Sequence, residues 1–520
     1  MFPVLLAALA LSAARAAIDR RAVVARHALR TAVSDATLLS PLDVYTIGNG
    51  DFAINVDATG LQTFNDTYAT AAPSLLDLNT LASWGWHSNP TFFPKTSDPA
   101  AYLRAMNWSY LETAVSATAN RTVPYLVGSN MTSTYGGWTA RNPHRAGLGQ
   151  LALRAVRAGA ALGDDPAELV ATTVVNLTSE LDTWAGGVTA AFMLLAPGGA
   201  ASAFAVTVAT AVHPDVDLVS TRVTCARTAG AGDCPTALRL ALPYSMASSP
   251  SANTWGYADA HTSAVVVNTS APGATRVSIL HTADDLATTV DCEWDDARWT
   301  FVRTDVPHAF ALVPPPGAAA AVELSCVWAP AGLRYPIGTA SSAFVRAKVA
   351  ATRALLGGVA RFPFYADVEA AQAAMFNVFW AGGSFVELAA KGAPDALELE
   401  RRVVLSRYLT RVNSAGASPP QETGLISNSW AGKFVRPPRA RHARASCTAA
   451  ITRPLPPPPP PHNEPFTRPV SIWRCASGTT LTGLFGVTAT SWRARGASTS
   501  TCCRTQPHSP RTRATRARAG

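Results

Sequence analysis

At 520 residues the chain is too long for one ordinary domain, and with 48% apolar and 15% charged side chains it can bury a large core. That composition excludes a wholly disordered protein. The absence of any internal run approaching about 18 uncharged apolar residues argues against a polytopic membrane protein, so no transmembrane segment is expected. The net charge of +9 is unevenly placed: residues 435–520 hold 14 Arg, no Lys and one acid, Glu464, while the other 434 residues carry 29 basic and 33 acidic side chains. The body is mildly acidic and the basicity is confined to the tail, so nucleic acid is not an expected partner.

The chain opens on an apolar stretch, Val4–Leu11, closing on Ala14-Arg15-Ala16, which reads as a signal peptide over residues 1–16. Secretion, to the extracellular space or a secretory lumen, is the localisation this implies. Six N-x-S/T sequons at Asn65, Asn107, Asn120, Asn130, Asn176 and Asn268 fit that route as glycosylation sites. Cys225 and Cys234 flank a Gly-rich turn and could close a hairpin, with Cys292 and Cys326 as the other candidate disulfide pair. No His/Cys group has metal-ligand spacing, and neither a metal nor a cofactor is expected.

From Asp43 to about residue 335 short alternating or β-branched runs are separated by turn residues: Phe52–Val56, Val170–Val175, Phe204–Val212, Val265–Val267 and Val322–Val327. Many short strands without long helical periods predict a large antiparallel β-sandwich over 17–335. Ala100–Met106 could form a short helix within it. Past residue 340 the period becomes helical. A linker helix is expected over 336–362, capped by Ser342 and stopping at Gly357-Gly358. A second follows Pro363, with Val368, Met375, Phe376 and Phe379 on one face. A third begins near Pro394 and carries Leu397, Val404 and Tyr408, with Glu398 and Arg402 paired on its exposed side. These faces are expected to need partners from further helices, and to form an apolar patch if left uncovered. From Val435 the composition turns to Arg, Pro, Thr and Ser, with six consecutive prolines at Pro456–Pro461. Such a segment is expected to be disordered. It reads as a basic, proline-rich binding tail or as sequence in an altered frame.

No nucleophile elbow, zinc-protease motif, Walker loop or dinucleotide fingerprint is present. Two strings are unusual. Trp84-Gly85-Trp86-His87 follows Gly48-Asn49-Gly50-Asp51-Phe52, and Gln421-Glu422-Thr423-Gly424 leads to Asn428-Ser429-Trp430 and Lys433. Aromatic rings can stack on sugar C–H faces while amides and carboxylates bind hydroxyls. The same residues could equally plug a sandwich and cap a helix.

Ile47–Ala53, Thr59–Phe64, Trp84–Ser88, Asn142–Arg145, Glu398–Leu409, Pro419–Gly424 and Asn428–Trp430 together resemble the secreted six-hairpin glycosidase-like proteins, close to the glycoside hydrolase family 65-like enzymes. The resemblance covers residues 25–434. It implies a β super-sandwich, a helical linker and an (α/α)6 barrel, of which 363–434 is the first part. It also implies a carbohydrate substrate and an inverting two-carboxylate reaction, with hydrolysis and phosphorolysis both open. Glu422 is the candidate catalytic carboxylate, and Trp84, Trp86, His87, Gln421, Asn428, Trp430 and Lys433 are candidate substrate contacts. Because residues 435–520 do not continue the family pattern, this chain is expected to be catalytically incomplete. A non-catalytic carbohydrate-binding β-sandwich is the alternative.

Overall fold

The computed structural model describes most of residues 18–432; it leaves out 1–17, 66–77, most of 88–140, 143, 158, 196–201, 247–251, 269–274, 285, most of 334–360, 390–391, 417–422, 428–431 and 433–520. The expected leader, the helix at Ala100–Met106, nearly all of the linker helix and the basic tail therefore lie outside the described residues. All described residues belong to one compact unit, 1–479.

Nine antiparallel strands form the main sheet. Its spatial order is β1 (Leu29–Asp35), β10 (Val174–Leu181), β11 (Val188–Leu195), β12 (Ala203–Val212), β13 (Leu218–Ala229), β20 (Ala319–Leu333), β17 (Leu286–Trp294), β16 (Arg276–Ala283) and β15 (His261–Asn268). Alternation in sequence becomes alternation in burial, because successive side chains point to opposite faces. On β11, Val188, Ala190, Phe192 and Leu194 are buried while Thr189 and Ala191 face out. The strand expected at Val170–Val175 begins only at Val174; residues Ala171–Thr173 form a 3-10 turn and Val170 is exposed.

Smaller antiparallel sheets share the core of the main sheet. One is β18 (Thr300–Arg303), β19 (Ala309–Val313), β14 (Thr236–Ala241) and β9 (Gln150–Ala155); the other is β2 (Val44–Gly48), β3 (Phe52–Asp57) and β4 (Thr80–Ala82). A ribbon of β5 (Trp86–His87) with β8 (His144–Arg145) and a hairpin of β6 (Ser109–Thr113) with β7 (Asn120–Pro124) complete the strands. Ile54, Val206, Val223, Leu240 and Phe310 belong to one continuous hydrophobic cluster. The indole N–H of Trp328 donates to Leu148 O at 2.9 Å and that of Trp299 to Ala321 O at 3.0 Å, satisfying buried donors and tying β20 to the residues just before β9 and β18. Two disulfides join Cys225 to Cys234 and Cys292 to Cys326, the second between directly paired residues of β17 and β20.

Among the described residues three α-helices flank the strands: α1 (Arg20–Ala25), α2 (Tyr365–Ala381) and α3 (Pro394–Ser414). Asp19 accepts from Ala22 N to cap α1, and Pro394 sits in the first turn of α3, where its missing N–H costs nothing. Along α2, Val368, Gln372, Phe376 and Trp380 recur every fourth residue and are buried. They pack on the β10–β11 turn and the end of β12. Trp380 donates to Thr183 O at 3.1 Å, and Gln372 Oε1 accepts from Val212 N at 3.3 Å. Gly186 lies so close to Phe376 that a Cβ there would sit 2.2 Å from the ring. Phe376 stacks on Tyr408 of α3 with centroids 5.4 Å apart, and Tyr408 donates to Thr46 O of β2 at 3.0 Å.

This packing covers most of the helix faces expected to await later helices. Val368, Phe376, Val404, Tyr408 and Val412 are buried, mostly by strands of the β unit. Leu397 of the expected α3 face stays exposed, as do Val378 and Leu399.

A carboxylate ties the helices to the start of the chain. Glu400 is fully buried and accepts from Leu388 N at 2.6 Å, Ala389 N at 2.9 Å and the His27 ring at 2.8 Å, with Arg26 at 3.5 Å. Glu398, two residues away, is half exposed and pairs with Arg401 and Arg402.

Candidate functional site

Sequence strings from opposite ends of the described chain meet beside β3. In the turn between β2 and β3, Asn49 Oδ1 accepts from Asp51 N and Phe52 N, while Asn49 Nδ2 donates to His213 O and Val216 O, each at 3.1 Å. Gly50 takes φ +100°, where glycine is favoured, and a Cβ would lie 2.7 Å from Ala415 C. Arg411 donates to Asn49 O at 2.8 Å. The turn is thereby pressed onto the C-terminal end of α3. Asp51 in turn receives the N–H of Ser83 at its carbonyl, 2.6 Å, and the Ser83 hydroxyl at its carboxylate, 3.0 Å.

The loop after α3 closes on the same place. Leu425 and Ile426 join Ala53, Leu81 and Ala252 in a small apolar cluster, and Ile426 N donates to Asn413 Oδ1 at 3.2 Å. Gly432 takes φ +74° with its Cβ position 2.5 Å from Arg145 Cβ. Arg145 is buried, donates to Ala82 O and Ser83 O at 2.9 and 2.7 Å, and lies over the Trp86 ring, Cζ 3.9 Å from its centroid. Gly416 thus packs against Asp51 and Gly432 against Arg145. Gln421, Glu422, Asn428, Trp430 and Lys433 lie outside the described residues.

The other candidate contacts are internal. Trp84 is 1% exposed and donates to Asp217 Oδ2 at 2.7 Å; Trp86 is 6% exposed and donates to Ser83 O at 3.1 Å. A stacking platform needs an open ring face, and neither indole has one here, so both brace the loops beneath the site. His87 is fully buried, with Nδ1 3.1 Å from His144 Nε2 and Nε2 2.8 Å from Asp284 Oδ2. Tyr244 donates to the same Asp284 oxygen at 2.5 Å. Burial pushes the Asp284 carboxyl up, but the bonds from His87 and Tyr244 and the charge of His87 outweigh it and hold it below the ordinary value. Among the sequons, Asn176 is exposed at a left-handed position in β10, Asn65 is half-buried and accepts from Gln150 at 2.7 Å, and the side chains of Asn107, Asn120, Asn130 and Asn268 lie outside the described residues.

Beside His87 the structure assembles a histidine group with no signature in the sequence. His261, His281 and His308 are each more than nine-tenths buried, and one ring nitrogen from each lies within 4.8 Å of the others. Burial, then the charges of neighbouring histidines, lowers His261 to about 4 and His281 to about 3, so both are neutral at pH 7. Their spacing in sequence matches no ligand motif; only strand register brings them together, with Ser263 opposite His281 and His261 opposite Ala283.

No protein-family profile and no curated protein matches this sequence. Among solved structures, the chain is similar to a protein described as a kojibiose phosphorylase, from the human microbiome. The TM-score is 0.47 at 11% identity, over 78% of this chain and 44% of that one. It is also similar to a family GH92 alpha-mannosidase from Bacteroides thetaiotaomicron, with a TM-score of 0.25 at 9% identity, over 70% of this chain and 38% of that one. The chain spans less than half the length of either.

Proposed function

We propose that this is a secreted, glycoside hydrolase-like protein whose sugar site is carried by the Gln421–Lys433 string, whose described neighbours Gly416 and Gly432 pack against Asp51 and Arg145. The observation that carries the reading is the convergence just described. Gly50 and Gly416 pack at contact distance, and Gly432 packs on Arg145. The sequence resemblance to six-hairpin glycosidases singles out these same strings. Helices α2 and α3 are then the opening of an (α/α)6 barrel, and Glu422 is the carboxylate that meets the sugar.

An inverting reaction needs a second carboxyl roughly 6.5–9.5 Å away to admit a water or phosphate. Residues 435–520 contain a single acid and no amphipathic helical period, so this chain holds a glycan without turning it over. The test is a glycan array with the full chain and its Glu422→Gln variant, alongside release of aryl glycosides with and without phosphate. Expected are glycan capture at least tenfold weaker in the variant and no release by either protein. Absence of any bound glycan would sink the proposal, and turnover by the parent chain would overturn its incomplete state.

A further inference from the structure

His261 and Ser263 alternate along β15 and so share one face, and His281 on β16 stands directly opposite Ser263. His308 reaches in from the turn before β19 in the left-handed conformation, φ +59°. Of the three described non-glycine residues with positive φ, two, His308 and Asp284, belong to this neighbourhood; such conformations persist where surrounding structure enforces them.

Proton positions follow from the partners. His281 Nε2 is 3.2 Å from Pro243 O and His308 Nε2 is 2.8 Å from Ala258 O. A carbonyl only accepts, so both Nε2 atoms carry the hydrogen, and a ring held this way presents a lone pair at Nδ1 whenever it is neutral. Those two Nδ1 atoms face a single hydroxyl, Ser263 Oγ, at 2.9 and 3.0 Å. Its one proton can satisfy one of them and leaves the other lone pair against an oxygen lone pair. His261 Nδ1, buried in the same group, has no hydrogen-bond partner. His261 stacks on His308 with centroids 3.8 Å apart and stands edge-on to His281 at 5.0 Å. One hydroxyl proton thus serves two Nδ1 atoms and a third buried ring nitrogen has no partner, where native interiors leave few such groups.

A cation resolves this shortfall. We propose that His261, His281 and His308 form a site for a borderline-soft divalent transition metal, Zn2+ first, with Ser263 or a water as the fourth ligand. Imidazole nitrogens suit zinc, and a ring N–H held by a backbone carbonyl is the usual support for a metal-bound histidine. Tetrahedral coordination at about 2.0–2.1 Å requires ligand nitrogens about 3.3 Å apart. Starting from separations within 4.8 Å, ring torsions have about 1.5 Å at most to close. The site joins β15 and β16 of the main sheet to the turn before β19 of the four-stranded sheet, so its expected role is a cross-layer staple.

The test uses the full chain, stripped with chelator and treated with an alkylating agent to block any reduced cysteine, then loaded with Zn2+ and dialysed against metal-free buffer. One zinc per chain is expected by mass spectrometry, together with a higher Tm than the stripped protein. His261→Gln alters the ring whose Nδ1 has no hydrogen bond, so its metal-free Tm should match the parent's. It should lose zinc at least tenfold more readily and show no zinc-dependent rise in Tm. Retention below a tenth of an equivalent by the parent, or equal retention by His261→Gln, overturns the proposal. Should the variant not fold, Co2+ loading of the parent decides. A tetrahedral spectrum without thiolate charge transfer is expected, and an octahedral or thiolate-type spectrum refutes the site.

Discussion

Glu400 offers the sharpest test of how the helices are held. Its carboxylate is fully buried and accepts from two backbone amides, Leu388 and Ala389, and from His27, while Arg26 lies 3.5 Å away. Truncation in Glu400→Ala strands those donors, and breaking a buried, hydrogen-bonded pair from one side costs about 3–5 kcal/mol. Glu400→Gln keeps the shape and one acceptor oxygen but loses the charge, so about 1–2 kcal/mol is expected from weakened charge-assisted bonds. Urea unfolding followed by tryptophan fluorescence reads both values as shifts in midpoint at constant slope. Hydrogen exchange should quicken at the Leu388 and Ala389 amides in the alanine variant. A loss under about 0.5 kcal/mol for Glu400→Ala, or a larger loss for Gln than for Ala, would refute the reasoning.

The same residue sets a pH dependence. Burial pushes the Glu400 carboxyl up, but the bonds from Ala389, His27 and Leu388 and the charge of Arg26 outweigh it and hold it below the ordinary value. The unfolded carboxyl takes its proton near pH 4.3 and the folded one only lower. Its contribution is therefore full above about pH 4.3 and is lost as pH falls through the folded value, so the stability gap between the parent and Glu400→Gln should narrow below about pH 4. Gly50→Ala forces a side chain into φ +100° and against Ala415, and should cost about 3 kcal/mol in the same urea assay. Cys292→Ala with Cys326→Ala opens a 34-residue loop, and should lower stability by about 4 kcal/mol on the chain-entropy estimate.

Periodicity carried much of the fold. The alternating run Phe204–Val212 is β12, and the face at Val368 and Phe376 is the buried face of α2. Pro394 marks the first turn of α3 because its ring tolerates that position and few others in a helix. Where reading failed, tertiary context decided. Phe52–Val56 alternates in hydrophobicity, yet all of β3 is buried, since one face meets the main core and the other meets Leu425 and Ile426. The exposed Glu398–Arg402 pair follows from i,i+4 spacing, whereas the burial of Glu400 follows only from where α3 docks. Trp84 and Trp86 illustrate the limit for the site. Their composition suits sugar stacking, but the partners that enclose them, Asp217 and Arg145, are far away in sequence. The histidine cluster is illegible for the same reason.

Under the proposed function, residues 417–434 carry a carbohydrate site with Glu422 at its heart. The most direct measurement is equilibrium binding of the full chain to the strongest array glycan, compared between the parent and Glu422→Gln. Saturable binding in the parent that weakens at least tenfold in the variant is the predicted result. Binding of equal strength in both, or none in the parent, would contradict it.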